Sequence, residues 1–432
     1  MQAYYVNDTF WTPGSDAPVF LCVGGEGPPM DGSAVVASPH CNIAVEHLQA
    51  TKALMFAVEH RFYGCHNASA CPVNSFDGPN PLRFLSSRQA LADLANFHQV
   101  ATAEYGLTSP GNKWISFGGS YPGMLAGWFR IKYPHLVHGS IASSAPVHAK
   151  LDMQGYNNVG AEAYSVSDNN VGGSEACQAA IADGHVQIGT MFNSSAGRET
   201  LSQLFGNVPM WYMSYENQAD FAGNGVTYFP SQGNDPSCTE AGCNIGSICT
   251  VMTNTATGTT VARLAKLKKM QAAWLPSKES VLGRPSAAAA EADYWGYQTC
   301  TEFGFYQTCE VGSECFYTQG YVTLASMDAF CQSEFNITVA KVSANINLTN
   351  AVYGGLTPVG SCLTYPNGEV DPWHALSILD APSTGFRTIM VPGASHHAWT
   401  HPSLATDQPS VVAARQTIRE QIDAYLGQPC DV

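Results

Sequence analysis

The 432 residues are too many for one small domain and enough for a large core, and with 45% hydrophobic and 12% charged residues the composition excludes a disordered chain. A formal charge of −15 and a pI of about 5.2 argue against any nucleic-acid partner, because phosphate backbones would repel the chain, and they suit an acidic compartment. No apolar run approaches about 18 residues, so no membrane span is expected. Residues 1–20 lack a basic segment followed by an apolar one, so a secretory leader is expected to be missing from the chain as given. Residues 18–23, 53–58 and 113–117 read as buried strands. Each ends in a distinctive turn: Gly24-Gly25-Glu26-Gly27, Glu59-His60-Arg61 and Gly118-Gly119-Ser120. Between the second and third, residues 86–103 carry Leu91, Leu94, Ala95, Phe97 and His98 at helical spacing. Strand, helix and strand with apolar strands predict a parallel sheet covered by helices. A helix is expected after Ser120 through Tyr133, stopped by Pro134, and residues 139–143 read as the next strand.

The pattern then changes. Residues 150–345 read as a mostly helical insertion, with Val261, Leu264, Leu267, Met270 and Trp274 on one side of a helix and Gly, Ser, Asn and Cys-rich connections around it. The basic cluster Arg263, Lys266, Lys268 and Lys269 is a solvated helix face. Strands return at 362–365, leading into Asp371, and at 386–391, leading into Gly393-Ala394-Ser395-His396-His397, and an amphipathic helix closes the chain over 411–426. The expected division is therefore 1–149 and 346–432 as two parts of one α/β unit, with 150–345 inserted as a helical cap.

Fourteen cysteines without paired CxxC knuckles predict disulfides and no metal site, hence folding in an oxidising compartment. Their connectivity is not derivable from spacing. Five N-x-[ST] sequons, at Asn7, Asn67, Asn193, Asn336 and Asn347, point to glycosylation in the secretory pathway.

The chemistry lies at strand ends. Gly118-Gly119-Ser120-Tyr121-Pro122 sits where a strand gives way to a helix, the context of a nucleophile elbow, in which a strained turn holds a serine hydroxyl clear of the sheet. The last position of the G-x-S-x-G pattern is Pro122, with Gly123 after it, and proline in a first helical turn forfeits no intrahelical bond. Asp371 and His396 follow later strands in the order Ser, Asp, His of α/β-hydrolases. His397 competes with His396 for the role of base, and the residues alone do not choose between them. Two oxyanion donors are expected, the backbone N–H of Tyr121 and one from the glycine-rich loop at Gly25. The competing readings are an ordinary glycine turn at 24–27, a turn carboxylate at Asp371 and a packed histidine at 396 or 397.

At these residues the chain resembles the prolylcarboxypeptidase family of serine peptidases, which includes dipeptidyl peptidase II, and within it the thymus-specific serine protease branch. The resemblance is carried by FLCVGGEGP, VEHRFYG, LRFLSSRQALADL, FGGSYPGMLAGWFRIKYPHLVHGSIASSAPV, YQTCTEFGFYQTCE, NGEVDPWHALSI and GASHHAWT, and it is weakest over 165–260. It implies an α/β-hydrolase domain roofed by a helical cap, with Ser120 as nucleophile, Asp371 as acid and His396 as base. It further implies an exopeptidase that cuts short peptides after proline, no cofactor, and a secreted or lysosomal location. Met124 and Trp373 fall where a proline-accepting pocket would be lined, though plain core packing explains them equally well. Glu26 and Glu302 fall where a substrate terminus could be read. The thymus-specific branch leaves an endopeptidase of broader specificity open, and the same triad would serve a carboxylesterase or lipase. Whether two copies associate as a homodimer is also left open.

Overall fold

The computed structural model describes residues 2–64, 81–108, 111–275 and 293–430; Cys65, Cys71 and the Asn67 sequon lie outside them. Strands β1 (Tyr4–Asn7), β2 (Val19–Val23), β3 (Leu54–Val58), β4 (Trp114–Gly119) and β5 (Gly139–Ser143) are followed by β6 (Lys150–Asp152) and β7 (Gly304–Tyr306), then β8 (Leu363–Gly368) and β9 (Phe386–Val391). The main sheet has the order β1-β3-β2-β4-β5-β8-β9. All its pairings are parallel except β1 with β3 at one edge.

The pleat divides each apolar run between two cores. In β2, Val19, Leu21 and Val23 join a cluster with Leu91 and Leu94 of helix α2 (Ser87–Tyr105) and Leu125 and Phe129 of helix α3 (Tyr121–Lys132). Phe20 and Cys22 turn the other way, onto Ile43 and Leu48 of helix α1 (Asn42–Thr51) and Ile418 and Ile422 of the last helix, Pro409–Gly427. Both faces of a parallel sheet must be covered, which is why its strands read as unbroken apolar runs. Helix α2 starts where Ser86 caps it, its hydroxyl accepting from Gln89 N–H, and stops at Gly106 in the left-handed conformation. Together with the serine at the end of β4, this sheet is an α/β-hydrolase fold.

Between β5 and β8 the chain leaves the sheet. It forms helices including Gln154–Glu162, Glu175–Met191, Ile245–Met252, Thr260–Gln271 and Val339–Tyr353, with a separate apolar core around Tyr164, Ile188, Ile248 and Leu264. Val261, Leu264 and Leu267 are buried as their spacing predicts. Residue 345, the expected end of the insertion, falls inside the helix Val339–Tyr353. The strand pair β6 and β7 and the edge strand β1 are too short to show a period in the sequence. All described cysteines are paired, as Cys22–Cys41, Cys177–Cys249, Cys238–Cys243, Cys300–Cys331, Cys309–Cys315 and Cys362–Cys430. No helix among the described residues is long and apolar enough to cross a membrane.

Helix α3 is pressed against the sheet by glycines. A Cβ on Gly118 would lie 2.2 Å from the carbonyl oxygen of Pro122, and one on Gly123 would lie 2.7 Å from that of Ser143. Backbone atoms at such distances cannot step aside as a side chain would. Gly118→Ala should therefore destabilise the protein by about 3 kcal/mol or more. Gly427→Ala, where a Cβ meets nothing within 4 Å, should cost no stability. Urea denaturation of the two variants beside the parent checks both, and equal midpoints would refute the close-packing account.

Candidate active site

Ser120 joins β4 to α3 with φ 67° and ψ −132°, a left-handed conformation that a non-glycine residue adopts at a cost. Its N–H donates to the Ser143 carbonyl at 3.0 Å, which ties the elbow to the neighbouring strand. The side chain forms no capping bond to α3 and stays partly exposed. Gly119 must lack a side chain because a Cβ there would lie 2.9 Å from the ring of His397.

Asp371 follows β8 and is wholly buried, so both carboxylate oxygens need donors. Oδ1 accepts from Trp373 N–H at 3.0 Å and Oδ2 from His396 Nδ1–H at 2.9 Å. A carboxylate on Nδ1 leaves Nε2 of His396 as the basic nitrogen. That Nε2 is buried and has no partner among the described residues.

The structure brings Asp371 to His396 and sets His397 aside. His397 has φ 36°, donates its N–H to Ser144 Oγ at 2.9 Å, and pairs Nδ1 with Thr400 Oγ1 at 3.0 Å. Its ring lies on Gly119, so it works as packing beneath the elbow.

Proline at position 122 has a structural counterpart. The Pro122 ring lies under Gly25, where a Cβ would come within 2.3 Å of Cγ, so the glycine-rich loop and the first turn of α3 pack face to face. Tyr121, the first residue of α3, has an N–H with no intrahelical acceptor. Gly25 and Tyr121 thus both border the start of the helix. The Tyr121 phenol is buried and held by Gln298 Nε2 at 2.9 Å and His60 Nε2 at 3.0 Å.

The remaining expected residues fall in different places. Trp373 is nearly buried and stands edge-on to Phe305 (5.5 Å) and Tyr156 (5.3 Å), with His396 6.3 Å away. Met124 is fully enclosed in the core beneath α3. Glu302 is buried and engaged within the protein, where it accepts from Ser87 N–H (3.0 and 2.9 Å), Ser87 Oγ (2.6 Å) and Gln298 Nε2 (3.1 Å), capping the start of α2. Glu26 is half-buried beside Ser120 and near His396, with Oε2 enclosed and unpartnered. Tyr156, Gln232 and Gln298 also contribute; Gln298 lies in the segment YQTCTEFGFYQTCE, whereas no motif or spacing marks Tyr156 or Gln232 in the sequence. Among the described residues no cluster of His, Cys, Asp or Glu could hold a metal ion.

The family described as serine carboxypeptidase S28 matches residues 1–418. The chain is 33% identical to the thymus-specific serine protease of Homo sapiens over 449 residues, covering 99% of this chain and 83% of that protein. It is 30% identical to the probable serine protease EDA2 of Arabidopsis thaliana, over 87% of this chain and 72% of that one. It is 36% identical to the lysosomal Pro-X carboxypeptidase of Homo sapiens across 35% of this chain and 29% of that protein.

Burial sets the charges around Ser120. It pushes the Glu26 carboxyl up from 4.5 to about 7, against the pull of its own backbone N–H, the His396 charge and the Ser120 hydroxyl. It pushes His40 and His60 down to about 4 and His397 well below its ordinary range. The two kinds of shift act oppositely on stability. Between pH 4.5 and about 7 folded Glu26 holds a proton that the unfolded chain releases, so its contribution is complete below 4.5 and is lost as pH rises through 7. The histidines contribute above 6.5 and lose it as pH falls through 4. Glu26→Gln should therefore gain stability relative to the parent as pH rises across the Glu26 window, then level off, the histidine effects cancelling between the two. Urea titrations at several pH values read this directly, and a constant difference would disprove the shifted carboxyl.

Proposed function

The chain belongs to the serine carboxypeptidase S28 family, and from that premise we propose that Ser120, His396 and Asp371 are the nucleophile, general base and orienting acid of this serine peptidase. His396 Nε2 takes the proton of Ser120 as Oγ attacks the scissile carbonyl, while Asp371 fixes the imidazole tautomer and stabilises the imidazolium. The N–H groups of Tyr121 and Gly25 receive the oxyanion. His396 then returns its proton to the leaving amine, and water activated by the same imidazole releases the acid from Ser120. The observation that carries this reading is the 2.9 Å bond from His396 Nδ1 to Asp371 Oδ2 beside the strained serine elbow.

The substrate of this reading is a short peptide cut after proline by exopeptidase action. Its support is the aromatic cluster of Trp373, Phe305 and Tyr156, in which buried Trp373 lies 6.3 Å from His396 and Tyr156 lines the same cavity as His396. An endopeptidase of broader specificity is the second reading, favoured by a likeness to the thymus-specific protease that runs through nearly the whole chain. Residues 150–345 serve as the cap over the site. The paired cysteines support folding in the secretory pathway, with secretion or a lysosomal destination. The exposed sequon residues Asn193, Asn336 and Asn347 would carry glycans, whereas the Asn7 amide donates to the Val35 carbonyl at 2.8 Å.

Ser120→Ala should lower kcat by about 10⁴ or more while leaving the fold intact. Turnover at the parent rate would defeat the assignment. Digestion of a mixed peptide library between roughly pH 4 and 7, with the cut sites mapped by mass spectrometry, should give single-residue or dipeptide release after proline. Internal cuts without proline preference would favour the endopeptidase, and activity confined to acyl esters would favour an esterase.

A further inference from the structure

Gln232 lies in the stretch between Glu175–Met191 and Ile245–Met252 where the sequence carries no recognisable motif, yet it touches three pieces of the site. Its backbone carbonyl accepts from His396 N–H at 3.0 Å. Its side-chain Oε1 accepts from Trp373 Nε1–H at 2.9 Å and from the Tyr156 hydroxyl at 2.7 Å. An indole N–H can only donate, so the amide oxygen and not the nitrogen must face Trp373. These bonds complete a closed circuit with those of Asp371. It runs from Asp371 Oδ2 to His396 Nδ1, from His396 N to Gln232 O, from Gln232 Oε1 to Trp373 Nε1, and from Trp373 N back to Asp371 Oδ1.

The loop that presents Gln232 is itself held on both sides. Pro230 accepts from Tyr164 Oη at 3.2 Å, and Asn234 Oδ1 accepts from Ile245 N–H at 3.0 Å. Buried Gln271 donates to the Tyr228 carbonyl at 2.8 Å and accepts from Tyr228 N–H at 3.1 Å. A support fixed in this way can set the orientation of the groups it touches.

We infer that Gln232 is a positioning residue, through which the helical segment between β5 and β8 fixes the relative orientation of His396 and the Asp371–Trp373 turn. This rests on the proposed Ser–His–Asp reading and deepens it. Gln232 does not touch the reacting atoms. Its side chain holds the indole whose backbone N–H occupies one oxygen of Asp371, leaving the other to the imidazole. Removing that acceptor takes away the partner of two donors, half-buried Tyr156 Oη and buried Trp373 Nε1, and the turn that carries Asp371 relaxes around them.

The test compares Gln232→Leu with Gln232→Glu, which keeps an oxygen acceptor, in the full-length protein. A fluorophosphonate, which forms an Oγ–P bond to Ser120 and loses fluoride, reports the rate constant of Ser120 phosphonylation per competent site, independent of peptide affinity. Gln232→Leu should lower both kcat and that rate constant about tenfold, with KM changed less than about threefold, and Gln232→Glu should recover most of the loss. Parent rates in Gln232→Leu, or a loss that Gln232→Glu does not recover at all, would overturn the positioning role. No labelling of Ser120 in the parent protein would remove the Ser–His reading itself, and the role of Gln232 with it.

Discussion

The start of α3 against the end of β4 is the constraint from which the rest of the site follows. The helix approaches so closely that Gly118 and Gly123 leave no volume for a side chain, and the chain can turn between strand and helix only by driving Ser120 to a positive φ. Strain of this kind costs on the order of 1–3 kcal/mol. It is outweighed because Tyr121, Met124, Leu125, Trp128 and Phe129 of the same helix are buried, each large apolar side chain contributing roughly 1.5–3 kcal/mol. The packing that holds α3 down is thus what keeps the serine hydroxyl off the helix and presented at the sheet edge. The same closeness orders its surroundings, since Gly25 rides on Pro122 and His397 lies on Gly119.

Three carboxyl groups near this elbow show how partner supply decides what a buried acid does. Asp371 has two N–H donors, one for each oxygen, and one of them belongs to an imidazole. Glu302 is saturated by Ser87 and Gln298 and serves as the cap of α2. Glu26 has an enclosed oxygen without a donor, and burial accordingly favours its neutral form. Residue type is the same in kind; the number and placement of neighbouring N–H groups are not.

The site draws on both halves of the architecture. Strand ends supply Ser120, Asp371 and His396, while Tyr156, Gln232, Gln298 and Glu302 reach in from the segment between β5 and β8. The glycine- and serine-rich stretch around 214–249 has little apolar periodicity of its own. Its shape is kept by the bridges Cys177–Cys249 and Cys238–Cys243 and by buried Gln271. Covalent and polar links do there what a regular apolar face does in the sheet.

What the sequence determined by itself is local. Apolar runs such as 19–23 and 54–58 announce strands because a fully covered parallel sheet tolerates no polar face, and glycines flanking Ser120 announce an elbow because only they admit the helix. The order of Ser120, Asp371 and His396 at strand ends was likewise legible. Between His396 and His397 the residues alone did not choose, and only the family resemblance pointed to His396, for two adjacent imidazoles differ only in which distant group each meets, Asp371 in one case and Thr400 in the other. Disulfide pairing, the capping role of Glu302 and the contacts of Gln232 were equally hidden. Each is a meeting of segments far apart along the chain, and periodicity and spacing record only how a segment folds on itself; which remote partner completes its hydrogen bonds is decided when the layers pack.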